Sequence, residues 1–125
     1  MNKLIHECES HAFLGACFEV DKEKGCGFLE AVYEEGLEIE FDLQGIPAKP
    51  LVPIPLTYKG RSLKKARVDD FICDDKVLVE LKAVSNMTDE HRAQVQNYLH
   101  ATGLSLGLLV NLGHYPKVEH ERFAL

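Results

Sequence analysis

The sequence predicts an α/β layered domain, helices first and strands after. Three observations carry this. Apolar residues over the first 45 positions recur at three- and four-residue steps, the spacing of one-faced helices. From Leu51 the period shifts to that of strands. A further helical stretch, stopped by Gly103, then separates two apolar runs of strand length, Lys76 to Ala83 and Leu104 to Asn111. With 125 residues, 46% of them hydrophobic, the chain can hold one core, and a single domain over 1–125 is expected.

The elements follow in order. Leu4, Ile5, Cys8, Ala12, Gly15 and Phe18 mark the expected buried stripe of a first helix running to Val20. Gly25 and Gly27 punctuate the chain, and Phe28, Leu29, Val32, Tyr33, Leu37 and Phe41 mark a second helix that Gly45 and Pro47 end. Leu51 to Tyr58, with three prolines in 50–55, reads as an edge strand, and Lys59-Gly60 as a turn. Leu63 to Cys73 and Lys76 to Ala83 read as strands joined at Asp74-Asp75. Thr88 is the expected N-cap of a helix to Thr102, with Asp89 and Glu90 favouring its first turn. Leu104 to Asn111 has the composition of a strand buried on both faces, and Val118 to Phe123 that of an edge strand.

Composition narrows the function classes. The net charge of −6 is uneven: residues 1–45 hold 11 acids and 3 bases, residues 46–125 hold 9 acids and 11 bases. An acidic chain grips phosphates poorly unless a local basic surface or a metal ion intervenes. Cys8, Cys17, Cys26 and Cys73 lack C-x-x-C or finger-like spacing, so reduced thiols are expected and a zinc or redox protein is not. No G-x-x-x-x-G-K-[ST] loop and no G-x-G-x-x-G occurs, which leaves nucleotide-hydrolysing and dinucleotide classes without support. No apolar run reaches the roughly 18–20 residues that span a bilayer, and MNKLIHECES has no signal-peptide core. A cytoplasmic protein with no membrane partner is expected.

Residues 69–84, DDFICDDKVLVELKAV, carry the chemistry. Strand alternation puts Glu80 and Lys82 on one face and Val77, Val79 and Leu81 on the other. A Glu and a Lys on an otherwise apolar strand are costly to bury without partners. The preceding strand supplies an acid, Asp70 or Asp69, and carboxylates are the ligands a hard divalent cation needs. A two-residue turn at Asp74-Asp75 would set Asp69 opposite Glu80; a three-residue turn through Lys76 would set Asp70 there. On the following helix His91, Gln94 and Tyr98 share a face.

An acid, then E-x-K, then a helix with Q-x-x-x-Y resembles the PD-(D/E)XK nuclease superfamily, in particular its RecB-like branch. GFLEAVY at Gly27 to Tyr33, ELKAV, HRAQVQNYL, TGLSLGLLVN and YPKVEHER are similar to the GxxExxY family, from about Cys8 to Phe123. The resemblance implies a mixed central sheet flanked by helices and a Mg²⁺- or Mn²⁺-dependent nuclease. It implies metal held by Glu30, Asp70, Glu80 and the Leu81 carbonyl, Lys82 as the motif lysine, and Gln94 and Tyr98 supporting the site. Asp69 stands where the family often has proline. The family's ten-residue spacing favours Asp70 as the ligand.

Other features are secondary. Lys59, Arg61, Lys64, Lys65 and Arg67 place five cations in nine residues without an acid, a phosphate-tracking ridge or a charged edge that deters aggregation. Tyr33 is a site residue or a core aromatic with a satisfied hydroxyl. His91 and Asp69 are second-tier site residues. The expected function is a metal-dependent nuclease acting on nucleic acid, DNA ahead of RNA. The alternative is a non-catalytic nucleic-acid-binding or protein-interaction module on the same fold, and a homodimer is expected from the small size.

Overall fold

The computed structural model describes residues 6–50, 56–64 and 71–125. Helix α1 (Glu7–Lys24) leads into α2 (Glu30–Gln44), followed by β1 (Ala48–Pro50), β2 (Thr57–Tyr58) and β3 (Arg61–Ser62). Then come β4 (Phe71–Cys73), β5 (Val77–Lys82), α3 (Asp89–Thr102), β6 (Leu106–Asn111) and β7 (Glu119–Ala124). Five strands form a mixed sheet in the order β1-β4-β5-β6-β7, with β5 and β6 parallel and the other pairs antiparallel. A parallel pair needs a crossover, and α3 provides it. Among the described residues no helix is long and apolar enough to cross a membrane.

Each sheet face has its own core. Val77, Val79 and Leu81 of β5 pack with Phe13, Cys17, Tyr33, Leu37 and Phe41, which puts α1 and α2 on that face. Phe41 stands edge-on to both Phe13 and Phe71, at 6.1 and 5.2 Å between ring centres. Leu78 and Leu109 point the other way, against Met87, Val95 and Leu99, and α3 covers that face. The alternation expected for β5 is therefore observed.

Several expectations need correction. In α1 the buried positions are Ser10, Phe13, Ala16, Cys17 and Val20, whereas Cys8 and Phe18 are exposed. In α2 only Tyr33, Leu37 and Phe41 of the expected stripe are buried; Phe28, Leu29 and Val32 are exposed. Both helices carry apolar residues on more than one side, so periodicity alone picks the wrong stripe. Ala48–Pro50 forms an edge strand beside β4 that was not expected, and of the expected strand Leu51 to Tyr58 the described residues show only Thr57–Tyr58 as strand. Leu51–Pro55 lies outside the described residues, and β2 and β3 form their own hairpin instead of joining the sheet. All four cysteines are free thiols. Burial pushes the Cys17 thiol up to about 12 and raises that of Cys73 further, so neither is a nucleophile.

Two glycines set how closely elements approach. A Cβ on Gly107 of β6 would stand 2.8 Å from Val95 Cγ1 and 3.2 Å from Leu99 Cδ1, so glycine there lets α3 lie tight on the sheet. A Cβ on Gly113 would meet the Ala83 carbonyl carbon and the Val84 nitrogen, both at 2.6 Å. Side chains can yield and backbone cannot, so the two sites differ in severity. Gly107→Ala should lower stability by roughly 1–3 kcal/mol, or some 5–15 °C in Tm, and Gly113→Ala by more. Thermal unfolding checks this; an unchanged Tm for Gly107→Ala would show that α3 can lift from the sheet without cost.

Candidate active site

Glu80 is fully buried in β5, between β4 and β6 and on the face turned toward α3. Lys82, two residues on, is half-buried on the same face. Its Nζ donates to Gln94 Oε1 at 2.9 Å, and Gln94 Nε2 donates to the Tyr98 hydroxyl at 3.2 Å. Gln94 and Tyr98 are one helical turn apart, so α3 presents them as a ladder to the end of β5. Lys82, Gln94 and Tyr98 thus form a hydrogen-bonded chain across two elements.

The first turn of α3 is fixed by local chemistry. Thr88 has extended dihedrals and its hydroxyl accepts from the His91 N–H, while the Thr88 N–H donates to His91 Nδ1 at 3.1 Å. This is a capping box with histidine in the position usually held by Glu or Gln. His91 therefore serves the helix start as well as lining the adjoining groove. Arg92 clamps the same turn to β7: Nε reaches both Glu121 oxygens at 2.8 and 3.0 Å, and Nη1 reaches Asp89 at 2.8 Å.

The remaining expected residues are more scattered. Glu30 is half-buried and opens α2, the helix that packs on the opposite sheet face. Leu81 is buried between Glu80 and Lys82 in sequence, its side chain in the α1–α2 core. Asp69 and Asp70 lie outside the described residues, as do Lys65 and Arg67. Cys73 pairs with Val77, so the β4–β5 connection is the three-residue turn. Asp74 and Asp75 take φ of 57° and 55°, with the Lys76 N–H on the Cys73 carbonyl. Aspartate tolerates that left-handed backbone better than most side chains. Tyr33 is fully buried; its hydroxyl donates to the Gly25 carbonyl at 2.7 Å and accepts from the Phe28 N–H at 3.2 Å. It clamps the α1–α2 connection that precedes Glu30. Lys59, Arg61 and Lys64 are exposed on the β2–β3 hairpin.

Sequence reasoning missed a polar bracket beside Lys82. Asn111 is the β6 partner of Lys82 and is fully buried. Its Oδ1 accepts from the Val84 and Gly113 N–H groups at 3.0 Å each, and its Nδ2 donates to Glu119 at 3.1 Å. Glu119 also accepts from the Met87 N–H at 3.2 Å. Four elements or connections thus meet at one amide, next to the strand end that carries the lysine. The available signal was an asparagine closing the apolar run LGLLVN.

A buried strand carboxylate, a lysine two residues on and an amide–phenol pair on the crossover helix define a nuclease-like α/β core. A family model describing the PD-(D/E)XK nuclease superfamily matches residues 7–123, and the chain belongs to that superfamily. No curated protein and no solved structure matches it. The superfamily typically uses divalent metals. The donors fit such an ion in kind, since they are carboxylate and carbonyl oxygens. Among the described residues, however, no three His, Cys, Asp or Glu side chains group as a metal site.

The bracket makes a pH prediction. Burial alone would raise the Glu119 carboxyl, but hydrogen bonds from Asn111 and the Met87 N–H, with the charges of His114 and Arg92, hold it below its ordinary 4.5. A depressed carboxyl contributes stability above that ordinary value and loses it as pH falls through the depressed one. The Tm gap between wild type and Glu119→Gln should be widest near neutral pH and shrink as the pH falls below the ordinary 4.5. A gap constant across that range would refute the assignment.

Proposed function

We propose that this protein is a divalent-metal-dependent nuclease of the GxxExxY type that hydrolyses phosphodiester bonds in nucleic acid, DNA ahead of RNA. The observation that carries this reading is the chain from Lys82 through Gln94 to Tyr98 beside the buried Glu80. A structural Glu–Lys pair on a solvated sheet face would have no reason to recruit a helix amide and a phenol.

In this reading Glu80, Asp70 and the Leu81 carbonyl would hold Mg²⁺ or Mn²⁺, while Glu30 opens the helix on the opposite sheet face and is the least supported of the expected ligands. When bound, such an ion polarises the scissile phosphate and lowers the pKa of a water. Lys82 carries three N–H donors, and the bond to Gln94 fixes the direction of the others. They serve to orient the attacking oxygen and to stabilise charge that develops on the phosphate. Gln94 is in turn aligned by Tyr98. The three-residue β4–β5 turn supports Asp70 over Asp69, because that was the register in which Asp70 opposes Glu80.

A second reading, a non-catalytic interaction module, is favoured by the apolar side chains exposed along α2. Leu29, Val32, Ile39 and Leu43 face solvent there. Metal binding separates the two.

At about 100 times Kd, Mg²⁺ or Mn²⁺ should add about 2.7 kcal/mol of stability, or some 5–15 °C in Tm. Glu80→Gln and Asp70→Asn should remove most of the shift, and Asp69→Asn should leave it nearly intact. Superimposable melting curves in EDTA and in either ion would overturn the nuclease reading. A shift lost in Asp69→Asn and kept in Asp70→Asn would reverse the choice of aspartate.

A further inference from the structure

The β2–β3 hairpin stands apart from the sheet, yet it forms one wall of a groove of about 760 Å³ whose other wall is α3. Leu56, Thr57 and Leu63 line the groove from the hairpin; Gln94, Asn97 and Tyr98 line it from the helix. Gln94 is the residue that holds Lys82, so the groove leads to the site. The Lys59-Gly60 turn has φ of 49° and 78°, positive at both central positions as a tight hairpin turn requires.

Strand register gives the hairpin two unlike faces. Thr57 pairs with Ser62 and Tyr58 with Arg61, while the Leu63 N–H bonds the Leu56 carbonyl. Directly opposed residues share a face and successive pairs alternate. By alternation Tyr58 and Arg61 share a strand face with Leu56 and Leu63 and stand next to, not among, the residues that line the groove. Tyr58 is 65% exposed, with Lys59 Nζ 5.7 Å from its ring centre. Lys59, Arg61 and Lys64 make this hairpin cationic in an acidic protein; Glu90 is the acid on the helix wall.

We infer that this groove binds a single polynucleotide strand, with Tyr58 stacking on a base and Arg61, Lys59 and Lys64 contacting phosphates. The inference takes the identity of the ligand from the nuclease reading and specifies the strandedness of the substrate. An apolar and aromatic wall beside cations fits unpaired bases, which offer π-faces and apolar surface. A duplex hides those faces and is held chiefly through its phosphates, which this acidic chain serves poorly. DNA and RNA single strands share the chemistry invoked.

Fluorescence anisotropy with labelled single strands of about 16 nucleotides, DNA and RNA, and with the matched DNA duplex tests this on the full chain in EDTA. One or both single strands should bind more tightly than the duplex. Tyr58→Ala should weaken single-strand binding roughly 5- to 150-fold, the range of one base–aromatic stack, and leave duplex binding unchanged. Tyr58→Trp should preserve it. Arg61→Gln and Lys64→Gln should each flatten the single-strand salt slope by about 0.7. No single-strand binding, a duplex preference, or equal losses for strand and duplex in Tyr58→Ala would overturn the inference. Binding is read without metal, so its failure leaves the roles of Glu80 and Lys82 standing. Absence of metal binding would sink those roles while leaving the groove measurement intact.

Discussion

Burying the Glu80 carboxylate in the middle strand of the sheet is the constraint on which the surrounding structure depends. A charged group so placed is costly unless its surroundings are polar and fixed. β5 divides its faces: Val77, Val79 and Leu81 complete the α1–α2 core, while Leu78, Glu80 and Lys82 turn toward α3. The helix on that side must then be apolar at Val95 and Leu99 and polar at Gln94. It must also lie close, which Gly107 permits. Thr88, His91 and Arg92 set where α3 begins, and hence where Gln94 stands along β5.

The uneven charge of the sequence becomes an arrangement in space. The acidic first third forms α1 and α2, which cover one sheet face. Lys82, the α3 ladder and the cationic hairpin belong to the other side. Net charge is therefore a poor guide to what this molecule can hold, because the hairpin concentrates cations that the whole-chain sum hides. The carboxylates of α1 and α2 contribute to solubility and to repelling stray phosphate. The hairpin offers a local exception close to the lysine.

Much of the candidate site's local geometry was legible because strand alternation and helical spacing are short-range rules. Glu80 and Lys82 are two apart, Gln94 and Tyr98 four apart, and the Thr88 cap needs only its own neighbours. The three-residue Asp74–Lys76 turn was one of two alternatives that sequence could pose and could not decide. What escaped was tertiary. The buried stripes of α1 and α2 depend on which side each helix turns to the sheet, and Phe18, Leu29 and Ile39 are as apolar as the residues buried instead. The Asn111–Glu119 bracket joins residues to Val84 and Met87, far away in sequence, and the groove exists only once the hairpin is placed against α3. Pro47 and Pro50 disguised β1, since proline is tolerated there only because the strand is an edge.

The central claim is that Lys82, aligned by Gln94, acts on a phosphodiester. A cleavage time course on end-labelled single-stranded and duplex DNA and RNA, with Mg²⁺, Mn²⁺ or EDTA, tests it most directly when wild type is run beside Lys82→Met. The account predicts cleavage by wild type with either ion, none in EDTA, and a loss of roughly 10²–10³-fold or more in Lys82→Met. Cleavage that persists in EDTA, or equal rates for the two proteins, would contradict it.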